Sequence, residues 1–88
     1  MASELTRRHA KRDTYCYELK DKGRVVYRGI TTDVERRVSE HAREGKRFTT
    51  YCYDTVPLSR KSAHEAEREG VYTYKRGHGK RPRYNKTL

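Results

Sequence analysis

Arg37 and His41 stand where a predicted helix should carry apolar residues. At about 100° per residue, Val34, Val38 and Ala42 form one stripe of that helix, and both polar side chains fall inside it. Burying a charged group without a partner costs several kcal/mol, so we expect each of the two to meet a partner or a ligand. A guanidinium is suited to binding a phosphate, and an imidazole to hydrogen bonding or proton transfer.

Glu67 lies in the middle of an apolar stripe of a second predicted helix, whereas Glu65 and Glu69 project to the opposite side. The stripe comprises Ala63, Ala66, Gly70, Val71 and Tyr74. In one interpretation Arg37 and Glu67 form a buried salt bridge, and His41 fills a hydrogen-bonded corner. In the other, the three converge over a tyrosine-bearing sheet, where the carboxylate holds a hard cation, the guanidinium binds a phosphate and a phenol lies near a water.

Strands with period-two alternation are predicted on either side of the first helix. Tyr15, Tyr17 and Leu19 share one face of the segment 14–29, which predicts a β-hairpin. The segment 48–56 alternates again and predicts a third strand.

The helix between these strands is predicted from about 33 to 43, because Thr32 and Glu35 form a capping box at its start. The order β-β-α-β-α, completed by the second helix, predicts an α/β fold. We expect a small sandwich in which a three-stranded antiparallel sheet is flanked by helices.

The second helix has two candidate starts and an open end. Either Ser59 or Ser62 can cap it, the latter in a capping box with Glu65. Its end stays open because Gly70 weakens a helix and 71–74 would also suit a short strand. The tail from residue 75 onward is predicted to be a loop.

Composition predicts one small domain with a core rich in tyrosine. The chain has 88 residues, of which only four Leu, one Ile, six Val and one Phe are strongly apolar, while eight are Tyr. No apolar run approaches the roughly 18 residues that a membrane span needs. Cys16 and Cys52 have no CxxC partner, and the spacing of Cys and His matches no zinc pattern, so we expect free thiols in a cytoplasmic chain.

A net charge of +10 predicts a polyanionic partner, with nucleic acid the leading candidate. Residues 1–13 form a predicted basic, flexible arm, and residues 14–88 form the domain. Arm and tail are either solvated charge or nonspecific phosphate contacts. The basic residues predicted to contact nucleic acid are Arg7, Arg8, Lys11, Arg12, Arg28, Lys75, Arg76, Lys80, Arg81 and Arg83.

An ordered set of short motifs runs from about Tyr15 to Asn85. Arg37 follows Gly29 by eight residues and His41 follows it by twelve, and Glu67 comes four residues after Ala63. The set comprises Tyr15-Cys16-Tyr17, Tyr27-Arg28-Gly29-Ile30-Thr31, Arg37, His41, Glu67 and Pro82-Arg83-Tyr84-Asn85. In this order and spacing the chain resembles the GIY-YIG nuclease superfamily, which includes phage homing endonucleases and the incision subunit of bacterial excision repair. The chain departs from that pattern at Tyr15 and Cys16, where the family has Gly and Ile, and at Arg28, where Ile is usual.

The resemblance implies a divalent-metal-dependent endonuclease that cleaves DNA to 5′-phosphate and 3′-hydroxyl ends, from a prokaryotic or phage-infected cell. It implies that Tyr17 acts as general base or holds the attacking water, and that Glu67 is the sole protein ligand of one Mg²⁺ or Mn²⁺. The implied catalytic residues are Tyr17, Tyr27, Arg37, His41, Glu67 and Asn85. Glu69 replaces Glu67 if the helix register slips. The alternative class is a noncatalytic nucleic-acid-binding module, either a degenerate nuclease fold or a ribosome-associated basic protein.

Overall fold

The computed structural model describes residues 11–85 of the chain. The predicted order of elements and the α/β class are both confirmed. The elements are β1 (Tyr15–Asp21), β2 (Arg24–Thr31), α1 (Val34–Arg43), β3 (Thr50–Tyr53) and α2 (Arg60–His78). No helix of the described part is long and apolar enough to cross a membrane.

The sheet is antiparallel, and β1 lies at its centre in the order β2-β1-β3. Tyr17 on β1 pairs with Gly29 on one side and with Tyr53 on the other. Near the hairpin turn the register shifts, because Leu19 pairs with Tyr27 while the next residue pairs with Val25. Val26 is left unpaired between them as a β-bulge and packs into the core. The central strand is therefore fixed from both sides at Tyr17.

The two helices cover opposite faces of this sheet. Tyr17 and Leu19 pack in one cluster with Val34 and Val38 of α1, as the alternation in β1 predicts. On the other face the Sγ atom of Cys16 lies 4.0 Å from the carbonyl oxygen of Ala63 in α2. The predicted sandwich is thus a helix, a sheet and a second helix.

The start of α1 corrects the predicted capping box. Asp33 is the N-cap, and its carboxylate accepts a hydrogen bond of 3.2 Å from the backbone N–H of Arg36. Thr32 and Glu35 therefore do not form the box. Asp33 binds the backbone N–H of Arg36, whereas a cap at Thr32 would have bound that of Glu35. A carboxylate at this position also interacts favourably with the helix dipole. The predicted stripe holds at Val34, Val38 and His41, but Ala42 is exposed.

Of the two candidate starts of α2, Ser59 is the cap, since its hydroxyl accepts from the backbone N–H of Ser62 at 3.2 Å. The box at Ser62 is wrong. The helix then continues through Gly70 and Val71 to His78, so the alternative strand at 71–74 and the loop predicted from residue 75 are also wrong. A Cβ atom at Gly70 would lie 3.1 Å from Nη1 of Arg28, so the Arg28 side chain packs closely against this glycine.

The third strand is shorter than the predicted segment 48–56. Only Thr50–Tyr53 pairs, and it pairs with β1 alone as an edge strand whose four residues are all exposed. Just before this strand, the backbone N–H of Thr49 also donates to β1, at 2.8 Å from the carbonyl oxygen of Lys20. Alternation alone could not predict where pairing with β1 would end.

Asn85 closes the free edge of β2. Its side-chain Nδ2 donates to the carbonyl of Arg28 at 2.9 Å, and its Oδ1 accepts from the backbone N–H of Arg28 at 2.8 Å. The backbone N–H of Tyr84 donates to Val26 at 2.8 Å. The tail thus takes the place of a further strand, beside Gly29.

We expect Asn85→Ala to lower the free energy of unfolding by about 2 kcal/mol, because two hydrogen bonds to the part-buried Arg28 backbone are lost. Urea unfolding monitored by circular dichroism measures the change. Thr32→Ala is the control, since Thr32 is exposed and should change stability by less than about 0.5 kcal/mol. Equal stability of the two variants would contradict this role of Asn85.

Candidate active site

A buried tyrosine and a buried histidine form the centre of the candidate site. Tyr17 is 2% exposed and His41 is fully buried. The Tyr17 hydroxyl lies 2.6 Å from His41 Nε2, so the structure brings the two residues together. Tyr27 lies beside them, with its ring centroid 4.6 Å from that of His41. The hydrogen bond joins the central strand to α1.

Both members of this pair are held in their neutral forms. Burial lowers the pKa of His41 to about 4, with the nearby charges of Arg37 and Lys46 acting in the same direction. Burial raises the pKa of Tyr17 above its ordinary value of 10, and Tyr27 adds to this, while Arg37 opposes it. With both groups neutral, a phenol O–H that donates to Nε2 requires the His41 proton to be on Nδ1. Nδ1 is buried without a hydrogen-bond partner among residues 11–85; Glu44 Oε1 lies 3.7 Å away.

Arg37 lies at the open side of this pair. Its Nη1 is 2.9 Å from Glu40 Oε1 and 3.9 Å from Glu44 Oε2, while its side chain remains 35% exposed. The interpretation of a buried salt bridge between Arg37 and Glu67 is therefore wrong, because Arg37 finds its partners on its own helix. The charge of its guanidinium favours a lower pKa of the Tyr17 hydroxyl, and about a third of the Arg37 side chain is open to solvent.

Glu67 lies on the other face of the sheet from this cluster. Burial raises its pKa, an effect that His64, 3.7 Å away, opposes. Its side chain is 15% exposed and borders a cavity of about 170 Å³ that Tyr17 and Gly29 also line. On this face, burial raises the pKa of the Cys16 thiol, and the charges of Asp54 and then Glu67 act in the same direction.

The structure thus brings together four of the predicted catalytic residues, Tyr17, Tyr27, Arg37 and His41. It places Glu67 on the other face of the sheet, so the predicted convergence of Arg37, His41 and Glu67 is wrong. Asn85 lies against the backbone of Arg28, where it positions β2 beside Gly29. Glu69, the substitute for Glu67, is exposed. Within residues 11–85 no three His, Cys, Asp or Glu side chains come together as a metal-binding group, and both cysteines are free thiols.

Sequence reasoning missed several residues that line these two regions. Asp54 and Glu18 border the cavity of Glu67, and Asp54 is brought there by its backbone hydrogen bond of 3.0 Å to Cys16. Lys46 lies 5.8 Å from the centre of the Tyr27 ring, and its Nζ pairs with Glu44 at 2.8 Å. Of these, only Glu44 had a signal in the sequence, because it follows His41 by three residues and so lies on the same helix face.

The predicted nucleic-acid contacts are distributed unevenly. Arg28 is paired with Glu18 at 2.6 Å on the α2 face, with its Nε buried and without a hydrogen-bond partner in the described part. Arg7 and Arg8 lie outside the described residues. The remaining predicted contacts are exposed, namely Lys11, Arg12, Lys75, Arg76, Lys80, Arg81 and Arg83.

Comparison of the chain with protein-family models, with curated proteins and with solved structures finds no match. The resemblance to the GIY-YIG nucleases therefore rests on the ordered sequence motifs.

We expect Gly29→Ala to destabilise the protein by about 1–3 kcal/mol, the usual cost of overpacking a core. A Cβ atom at Gly29 would lie 2.6 Å from Cε2 of Tyr27 and 2.9 Å from the hydroxyl of Tyr17. Gly77→Ala is the matched control, because nothing lies within 4 Å of its Cβ position and a helical Gly→Ala change stabilises by about 0.5–1 kcal/mol. Thermal unfolding compares the two; a tolerated Gly29→Ala would contradict the close packing.

We expect acid to destabilise the protein through His41. The unfolded chain takes up this proton near pH 6.5, whereas the folded protein does so only near its pKa of about 4, so between these values the unfolded state binds more protons. Stability then rises with pH and falls as the pH is lowered, by about 3 kcal/mol in total.

Urea unfolding at a series of pH values measures this slope. Glu67 acts in the opposite direction because its pKa is raised, so the quantity compared is the difference between wild type and His41→Gln. His41→Gln should flatten the slope between pH 6.5 and 4, and His78→Gln, at an exposed position, should not. An unchanged slope in His41→Gln would show that His41 titrates normally.

Proposed function

We propose that the chain is a divalent-metal-dependent endonuclease that hydrolyses DNA phosphodiester bonds to 5′-phosphate and 3′-hydroxyl ends. The observation that carries the proposal is the hydrogen bond of 2.6 Å between Tyr17 and His41, with Arg37 beside it. A phenol, an imidazole and a guanidinium that meet in one place suit proton transfer from a water next to a bound phosphate. The net charge of +10 supports a polyanionic substrate.

Tyr17 acts in this proposal as a proton relay between water and His41. With its pKa raised, it is a phenol at neutral pH, so it accepts a proton from the attacking water only as it passes its own proton to Nε2 of His41. The imidazole is neutral at neutral pH and can accept that proton. Glu44, 3.7 Å from Nδ1, then stabilises the imidazolium. This relay requires no phenolate in the resting protein.

Arg37 binds the phosphate. Its charge is held by Glu40 and Glu44, but the exposed third of its side chain leaves donors available. Charge that develops on the scissile phosphate is stabilised by this guanidinium.

Glu67 fits a hard cation that retains most of its water ligands. Its carboxylate is mostly buried, and its ion pair in the described part is with an exposed histidine. It borders a cavity of about 170 Å³, which has room for water. When bound, Mg²⁺ or Mn²⁺ would supply Lewis-acid stabilisation of charge on the phosphate.

A second candidate is a noncatalytic nucleic-acid-binding module. It is favoured by two observations: Tyr17 is 2% exposed, and Glu67 belongs to the helix on the opposite face of the sheet. In that case the Tyr17–His41 bond only completes the core, and the basic residues alone contact the partner.

We expect Glu67→Gln to reduce metal-dependent cleavage at least about 100-fold, because the loss of several kcal/mol of charge stabilisation corresponds to that factor or more. Supercoiled plasmid and single-stranded DNA are incubated with Mg²⁺ or Mn²⁺, with and without a chelator. DNA retention should stay the same or increase, since one negative charge is removed. Glu69→Gln removes the same charge from an exposed position two residues away and should cleave like wild type.

Two outcomes decide against parts of this proposal. Loss of cleavage in Glu69→Gln but not in Glu67→Gln would move the carboxylate ligand to Glu69. Wild-type protein that binds DNA and cleaves neither substrate with either metal would support the noncatalytic module.

A further inference from the structure

We call the group of Tyr17, Tyr27, Arg37 and His41 the tyrosine cluster. A second region, separate from it, lies between the β1–β2 turn and the end of α2. Two adjoining cavities of about 400 and 610 Å³ share four lining residues, so they form one groove. We call this the basic groove. The shared residues are Arg24, Val25, Tyr74 and Lys80.

The charge of the basic groove is of one sign. Arg28 and Arg83 line it together with Arg24 and Lys80, and among residues 11–85 no Asp or Glu lines either cavity. Asp21 lies nearby and forms an ion pair of 3.8 Å with Arg83. A concave surface of this kind concentrates anions such as phosphates.

The groove also offers an aromatic surface. The rings of Tyr74 and His78 stack with centroids 3.9 Å apart and planes 12° apart. Tyr74 is partly buried, whereas His78 is exposed. One ring therefore anchors the other, and the outer face of His78 is open to a further planar group.

Phosphate-binding cations next to an open ring are the two components of sites for unpaired nucleic acid. A duplex offers its phosphates but keeps its base faces stacked inside, so it cannot use His78. An unpaired strand presents both.

The basic groove adjoins the cavity of Glu67, because Arg28 lines both.

We infer that the basic groove binds an unpaired nucleic-acid strand, with phosphates on Arg24 and Lys80 and a base stacked on the Tyr74–His78 pair. The inference deepens the proposed function by naming its substrate class, and it rests on that function only for the cleavage that follows binding.

Binding is measured in the presence of a chelator, so that failure to bind and failure to cleave are separate results. The probes are a fluorescein-labelled oligothymidylate and an oligouridylate about 12 nucleotides long, together with a DNA duplex of the same length, followed by fluorescence anisotropy. We expect the single strands to bind at least about 10-fold more tightly than the duplex. The two single-stranded probes distinguish DNA from RNA, and either one as the tighter ligand supports the inference. Tighter binding of the duplex would overturn it.

Charge and stacking are separated with two kinds of variant. Arg24→Gln with Lys80→Gln should reduce the slope of log K against log salt by about 1.4, since each contact to a single strand contributes about 0.7. Arg43→Gln with Lys61→Gln removes the same charge from exposed positions outside the groove and should leave the slope nearly unchanged.

His78→Ala and Tyr74→Leu should each weaken single-strand binding about 10-fold, with little effect on the salt slope or on duplex binding. Circular dichroism and thermal unfolding check that each variant is folded. If Tyr74→Leu does not fold, His78→Ala still tests the stacking, because His78 is exposed. Equal effects of the groove and control pairs, or no effect of His78→Ala, would overturn the inference.

Discussion

The hydrogen bond between Tyr17 and His41 is the interaction on which the rest of this structure depends. The buried aliphatic residues are mostly valines, so a tyrosine ring must fill much of the space between β1 and α1. A buried hydroxyl needs a partner, and His41 provides one at 2.6 Å from α1, which packs on the same face of the sheet. The same burial keeps the imidazole neutral. A polar residue in the stripe of α1 is therefore required by the fold, whatever chemistry it also performs.

This bond constrains the neighbouring strand. Because the Tyr17 hydroxyl lies where a side chain of residue 29 would be, β2 carries glycine there. A glycine weakens an edge strand, and the strand is supported at the adjacent Arg28, whose backbone donor and acceptor are both taken by Asn85. The motif residues Tyr17, Gly29 and Asn85 thus depend on one another through packing, which explains their joint presence independently of catalysis.

Periodicity predicted what is local: the phase of β1, the positions of His41 and Glu67, and the order of the elements. It could not predict which face of the sheet each helix covers, so it could not decide whether Arg37 and Glu67 meet. Thr32 and Asp33 are both good caps, and only the structure distinguishes them. The Arg28 side chain packs over Gly70 of α2, a contact between residues 42 positions apart that no local pattern contains.

The positions of the acidic residues determine where on the surface the excess positive charge lies. Glu40 and Glu44 compensate Arg37 and Lys46 around the tyrosine cluster, and Glu18 compensates Arg28 beneath α2. These ion pairs hold the side chains in place near the core, and the paired carboxylates weaken the attraction of the basic groups for a distant anion. The basic groove has no such acids in its lining, so the charges of Arg24 and Lys80 act outward. Long-range attraction of a polyanion and the proposed binding of one phosphate by Arg37 therefore belong to different parts of the surface, and the first can operate even where the second does not.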